Sequence, residues 1–316
     1  MPKRQTVMQN RHHLELTWLE DCIALAQSLN FSRAAASRYV TQPAFSRRIV
    51  SLEEWLGTPI FERNRRGVSL TRAGEVFVRQ VPELIRALYT LRSESIEAAG
   101  EARPDVIFSA THALSFSFFP ALMRNNEKKI ARFGSFRLLS DSLSACERMI
   151  EKGDAQFLLS YYHPHMHIHL DQSKYLSVRL GREVLQPYSR CDPTTREPLF
   201  HASGGKKFPF LSYSAESGLG RILSNTSQVN RARRGMDIAF TADLAATLLA
   251  MVKAGDGIAW LPETLAAPDV DAGSIAVAAN NESALWIPIE IRLFRPAARM
   301  SRAVEALWEI FLDGQI

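Results

Sequence analysis

Apolar residues recur along this chain first with a helical period and later in alternating strand-like and helix-like runs. From Leu16 to Leu29 they fall at Leu19, Cys22, Ile23 and Ala26, a spacing that predicts a helix with one buried face. The first ten residues show no such rhythm and read as a frayed tail. Asn30-Phe31-Ser32 then offers a cap. Ser32 is expected to accept from the free amides of a helix running from Arg33 to about Arg38. Ala34, Ala35 and Ala36 leave room for a second helix to cross closely, as a helix-turn-helix requires. Thr41 is placed to cap that second helix, with Gln42 and Pro43 in its first turn, where a missing amide costs nothing. Its inward face is Phe45 or Ala44, then Ile49, Leu52 and Leu56, and Gly57 ends it. Pro59-Ile60-Phe61, the turn Asn64-Arg65-Arg66-Gly67 and Val68-Ser69-Leu70 read as a small wing.

From Thr71 to about Ala98 the pattern is one long helix. Phe77, Val81, Leu84, Leu88 and Leu91 follow alternating steps of four and three, a seam suited to a partner helix. Pro82 removes one hydrogen bond and predicts a bend. Gly100-Glu101-Ala102-Arg103-Pro104 breaks the helix.

Beyond that break, strands at Val106–Phe108, Phe136–Leu139 and Gln156–Leu159 alternate with helices near 114–123 and 143–150. A second half repeats the scheme, with strands near 208–214, 239–243, 255–262 and 287–294 and helices near 219–223, 244–253 and 301–311. Such alternation predicts an α/β domain with mainly parallel strands. Two such halves joined by crossover strands leave a cleft beyond the strands' carboxyl ends.

Charge sharpens the reading of the N-terminal part. The net charge of the 316 residues is only +5, yet Phe31 to Arg72 holds eight arginines against Glu53, Glu54 and Glu62. A local basic patch on a balanced chain is the footprint of a polyanion binder, although charge alone leaves a solvated basic face equally open. Position adds more. Gln42, Ser46, Arg47 and Arg48 face outward near a helix N-terminus, where glutamine and arginine pair with base edges in the major groove. Ser32, Arg33, Thr41 and Pro43 surround them. Arg63, Arg65 and Arg66 in the wing suit phosphates or an adjacent minor groove.

The stretch FSRAAASRYVTQPAFSRRIVSLEEWLGTPIFERNRRGVSLTRAGE resembles the N-terminal signature of LysR-type transcriptional regulators. The matching elements are Ala34-Ala35, Gln42-Pro43-Ala44-Phe45-Ser46-Arg47, Leu52-Glu53, Leu56-Gly57, Ile60-Phe61-Glu62-Arg63 and Leu70-Thr71-Arg72-Ala73-Gly74-Glu75. Thr41 and Phe45 depart slightly from the family pattern. Gly255 to Pro262 is similar to the glycine-then-proline strand of the family's effector domain. The resemblance implies a winged helix-turn-helix over 1–72, a dimerising linker helix over 73–99, and a two-lobed, periplasmic-binding-protein-like effector domain over 100–316. Its lobe I is expected at about 105–175 and 270–316, and lobe II at about 176–269. The segments ATHALSFSFFP, FPFLSYSAESGLGR and GIAWLPE further resemble the hypochlorite-responsive subgroup, whose sensing is by methionine oxidation. The corresponding positions hold Asn126, Leu219 and Leu244 here, so that trigger is not carried over with the resemblance.

Effector contacts are expected at strand-to-helix turns: Thr111, His112, Ser115, Ser160, Ser212, Tyr213, Ser214, Thr241 and Asp243. Hydroxyls and free amides at helix N-termini suit a small carboxylate or other anion. His163, His165, His167 and His169, if extended, would converge on one side as weak metal candidates. No metal or other cofactor is otherwise expected.

Catalysis is not expected either, because no nucleophile elbow, phosphate loop or dinucleotide glycine pattern is present. No apolar run approaches the ~20 residues of a membrane span, and no secretory signal follows Lys3 and Arg4. Cys22, Cys146 and Cys191 are too scattered for a disulfide framework. The expected protein is therefore a cytoplasmic regulator, dimeric or tetrameric, that binds a palindromic duplex operator and a small effector; the alternatives are a redox- or metal-responsive regulator using the His163–His169 run, and an α/β solute-binding or enzymatic domain with a basic docking head. RNA polymerase is a further candidate partner.

Overall fold

The computed structural model describes residues 13–64, 67–99, 106–171, 173–202, 207–232, 235–279 and 285–313. Its chain divides into two compact units, Met1–Arg92 and Ser93–Ile316. The linker helix is therefore not a separate body, since most of it belongs to the first unit.

That first unit, the head, contains α1 (Leu16–Ser28), α2 (Phe31–Ser37), α3 (Gln42–Leu56), β1 (Phe61–Asn64), β2 (Gly67–Leu70) and the start of α4 (Arg72–Ala99). Leu19, Cys22, Leu25, Ala34, Ala35, Phe45, Ile49 and Leu52 meet in its core, joined by Ile60 of the wing and by Val81 and Ile85 of α4. The α2 cap is Asn30 rather than Ser32: the helix starts at Phe31, and the Asn30 side chain accepts from the Arg33 amide at 3.0 Å. Thr41 occupies the N-cap position of α3 but makes no side-chain cap bond. Gly57 closes α3 in the left-handed region, at φ 76°, where glycine alone is free of steric cost.

Glu53 ties α3 to the wing, its Oε1 accepting from the amides of Ile60 and Phe61 at 2.8 and 2.9 Å. Thr71 donates to the Pro59 carbonyl at 2.7 Å and accepts from the Gly74 amide at 2.9 Å. Gly74 has no alternative there, because a Cβ would lie 2.1 Å from the Ile60 carbonyl oxygen. The signature residues Glu53, Thr71 and Gly74 are thus fasteners of the fold.

The predicted α4 seam splits in two. Val81 is buried and Phe77 partly buried in the head's own core, together with Ile85 and Val78, while Leu84, Leu88 and Leu91 are exposed along with Val76. One helix serves two surfaces because its first turns must cover the head while the remaining apolar positions face outward. It stays helical through Pro82.

The second unit runs β3 (Val106–Thr111), α5 (His112–Ser117), α6 (Phe119–Ile130), β4 (Phe136–Asp141), α7 (Leu143–Lys152), β5 (Phe157–Tyr162), β6 (Tyr175–Arg190), β7 (Phe208–Tyr213), α8 (Gly218–Asn225), α9 (Ser227–Ala232), β8 (Met236–Ala242), α10 (Ala245–Ala254), β9 (Ala259–Pro262), α11 (Glu263–Asp271), β10 (Ile275–Val277), β11 (Ile287–Pro296) and α12 (Arg302–Asp313). Its sheet order is β10-β6-β11-β5-β3-β4, with β9 also on β6 and a separate β7-β8 pair.

Among the described strand pairs β3-β4, β3-β5 and β7-β8 are parallel, with a further parallel bridge between Phe210 and Ile258. The expected mainly parallel sheet is corrected to a mixed one, because β6 and β11 run antiparallel to each other as the two crossings between lobes. β10 pairs with Tyr188–Arg190 at the far end of β6, across that strand from β9.

Candidate nucleic-acid interface and effector cleft

The head's basic residues sort into inward and outward sets. Asp21 is fully buried, and its two carboxylate oxygens take Arg38 Nε at 2.8 Å and Arg48 Nη1 at 3.2 Å. Arg38 also reaches Glu20, and these carboxylates raise its pKa against the opposing effect of burial. Arg48, expected on the DNA face, is thus committed to fixing α3 against α1. Nothing in the sequence spacing marked Asp21, since its partners lie 17 and 27 residues away.

Gln42 and Arg47 are exposed and Ser46 half-buried at the start of α3, and Gln42 Nε2 donates to Ser46 Oγ at 3.3 Å. Ser32, Arg33, Thr41 and Pro43 are exposed around them. Arg63 on β1 lies 4.0 Å over the Phe31 ring, a cation–π contact that orients the guanidinium. The expected Arg65 and Arg66 contacts lie outside the described residues.

In the second unit, the starts of α5, α7, α8 and α10 converge on a cleft lined by Thr111, His112, Asp141, Ser142, Leu143, Tyr161, Ser217, Gly218, Leu219 and Asp243. The cleft encloses about 20 Å³, room for one water or a single small ion. Ser142 caps α7, accepting from the Ala145 amide at 3.3 Å. By contrast Thr111, Ser217 and Leu244, at the starts of α5, α8 and α10, make no side-chain cap bond. Thr111 Oγ1 is buried without a hydrogen-bond partner. His112 Nδ1 is paired with Ser140 Oγ at 3.0 Å, and Ser140 with Ser115 Oγ at 2.8 Å.

Of the expected effector residues, Thr111, His112 and Asp243 line this cleft, and Ser115 is linked through Ser140 to His112. Ser160 does not line it: side chains alternate along β5, so Tyr161 faces the cleft while Ser160 is buried. Ser212, Tyr213 and Ser214 border a different cavity of about 300 Å³ between β7, β8, α8 and α9. Tyr213 is structural: its hydroxyl donates to the Trp260 carbonyl at 3.0 Å, and burial pushes its pKa well up. Ser214 donates to Asp243, and Thr241 is exposed on β8.

Beneath the cleft, α8 is fastened to α7 by a buried ion pair. Arg221 Nη1 donates to both Glu147 oxygens at 3.0 and 2.9 Å and to the His167 carbonyl at 3.2 Å, while Nη2 donates to Ser144. The His169 amide donates to Glu147 Oε1 at 2.8 Å. The histidine run is therefore a loop strapped to this pair, not an extended strand. Pro164 and His165 form its turn, with the Met166 amide on the His163 carbonyl at 2.9 Å and Met166 buried. His163 is buried with its pKa held below the ordinary value by burial and by neighbouring His165. Among the described residues no three potential ligands come together for a metal. Cys22 and Cys146 are buried, and burial pushes both thiols up to about 12, far from the thiolate that redox chemistry needs.

Comparison with known proteins agrees with both units. A model of the bacterial regulatory helix-turn-helix protein, lysR family, matches residues 16–75, and one of the LysR substrate binding domain matches 99–315. The chain is similar to the HTH-type transcriptional regulator YjiE of Escherichia coli, 28% identical across 96% of each chain. It is also similar in structure to full-length HypT from Salmonella typhimurium, a hypochlorite-specific LysR-type transcriptional regulator. There the identity is 29%, the coverage 95% of this chain and 97% of that one, and the TM-score 0.55. Vibrio fischeri DarR, solved in complex with DNA, is 26% identical over 95% and 99% of the two chains, with a TM-score of 0.54. No described helix is long and apolar enough to cross a membrane. With its recognition helix, wing and two-lobed domain each matched along their length, this chain belongs to the LysR family: it is a DNA-binding transcriptional regulator with an effector-binding domain, not an enzyme.

Proposed function

We propose that the head reads base edges with Gln42, Ser46 and Arg47 and holds the duplex backbone with Arg33, Arg63 and the wing. Arg48 serves the fold instead. What carries this reading is the sorting of the arginines: Arg38 and Arg48 are neutralised by Asp21 and Glu20, while Gln42 and Arg47 stand exposed at the start of α3. The exposed stripe Val76, Leu84, Leu88 and Leu91 on α4 supports pairing with a second copy and hence a palindromic operator. Such a regulator acts in the cytoplasm, beside RNA polymerase. Arg47→Ala and Gln42→Ala are each expected to weaken operator binding in a gel shift by about 1–3 kcal/mol. Unchanged binding by both variants would refute the recognition-helix assignment.

For the cleft we infer a compact, acceptor-rich effector such as a small oxyanion. The support is three helix starts without side-chain caps beside the unpartnered Thr111 hydroxyl, a set of donors that an acceptor would satisfy. Asp141 and Asp243 on the rim limit how much negative charge is tolerated. Thr111→Val is expected to leave stability within about 1 kcal/mol while abolishing the thermal shift that small oxyanions cause in the wild type. A Thr111→Val protein that keeps the full shift would move the effector elsewhere.

A further inference from the structure

The turn between α2 and α3 is a Schellman motif. The Val40 amide donates to the Ala35 carbonyl and the Tyr39 amide to the Ala36 carbonyl, both at 3.1 Å. This hydrogen-bond pattern requires the residue after the cap to adopt the left-handed conformation, which glycine adopts without steric cost and asparagine more readily than other residues. Here it is Tyr39, at φ 55°. Its side chain is 97% exposed, the most exposed large apolar or aromatic side chain among the described residues. The fold thus holds a tyrosine in an unfavourable backbone conformation and gains no burial from it. Backbone strain of this kind clusters at functional sites.

The location names the function. Tyr39 precedes Gln42, the first residue of the recognition helix, by three positions, and sits on the connection that leads that helix to the duplex. A tyrosine hydroxyl is among the side-chain donors that engage phosphate oxygens. We propose that Tyr39 is a DNA-contact residue, its phenol donating to the sugar–phosphate backbone beside the groove that α3 enters. This rests on the DNA-reading role of the head and adds to it a neutral contact that the arginine pattern does not reveal.

Because the contact is neutral and made to phosphate, it has a signature distinct from that of the arginines. Its loss weakens specific and non-specific binding alike and leaves the salt dependence unchanged, whereas losing an arginine–phosphate contact lowers the slope of log affinity against log salt by nearly one. The test uses the full chain, a duplex selected by the wild-type protein from a random-sequence pool, and a scrambled duplex of equal composition. Tyr39→Phe, which removes only the hydroxyl, is expected to weaken binding to both duplexes by roughly fivefold, with an unaltered salt slope. Tyr39→Asn is expected to weaken binding at least as much while raising the melting temperature by roughly 2–4 °C, because the turn is relieved. Wild-type binding with both variants equally tight would overturn the proposal, as would a Tyr39→Phe defect confined to the selected duplex. A wild-type chain that binds neither duplex would instead overturn the DNA-reading role on which the proposal rests.

Discussion

The two units use buried charge in different ways. In the head, Asp21 is fully buried, but its arginine partners keep 26% and 34% of their side-chain surface exposed, so water shares the load. In the effector domain, Glu147 and Arg221 are 2% and 8% exposed, and every acceptor around Arg221 comes from another element. One cluster is a rim fastening on a small helical unit; the other is an internal clamp between α7 and α8 beneath the cleft. A buried pair contributes modestly when intact and costs heavily when halved. The clamp is therefore the more fragile device, and it joins the two helices whose starts line the cleft.

The largest expected effect tests that contrast directly. Glu147→Ala leaves the Arg221 guanidinium buried and unpaired and is expected to lower the opening free energy across α7 and α8 by about 3 kcal/mol, read by amide hydrogen exchange. The paired replacement Glu147→Leu with Arg221→Met is expected to restore most of it, since apolar groups of similar size often substitute for such a pair. If the single variant exchanges like the wild type, the clamp does not hold the two helices together.

Smaller changes belong to the head. Gly74→Ala forces a methyl onto the Ile60 carbonyl and is expected to cost about 2 kcal/mol. Asp21→Ala is expected to cost about as much, less than a fully enclosed pair because Arg38 and Arg48 remain partly hydrated. Exchange over α1 to α3 reports both, and equal loosening of α7 and α8 would erase the distinction between the units.

The smallest effect is a pH dependence at His163. Its folded pKa lies below the ordinary 6.5, so the folded chain binds fewer protons than the unfolded one. Its contribution is present above that value and is lost as pH falls below it. His163→Asn is expected to flatten the decline of melting temperature between about pH 7 and about pH 5. An unchanged profile would show that the strap does not sense protons.

Legibility followed the distance between partners. Glu53 meets amides seven and eight residues ahead, and Thr71 meets Gly74 three residues on. Such contacts leave an ordered signature in the chain, from which the elements of the head could be read, though not its Asp21 cluster, whose partners lie 17 and 27 residues away. The clamp joins residues 74 apart and the Tyr213–Trp260 bond spans 47, with no local pattern to announce them. The same limit explains the effector residues. Of the residues at strand-to-helix turns, Thr111, His112 and Asp243 line the cleft, but turn chemistry could not tell which turns share a cleft. It placed Ser212 and Ser214 there when they border another cavity.

By itself, the sequence determined the helix-turn-helix, the wing, the long helix and the α/β character of the rest, because periodicity and caps act over a few residues. Only the tertiary structure decided which arginines face solvent, how α4 divides its apolar stripe, and that β6 and β11 cross antiparallel. It alone turned the histidine run from an apparent ligand row into a strap on Glu147. These outcomes depend on which distant surfaces are buried together, and burial, unlike periodicity, is a property of the folded whole.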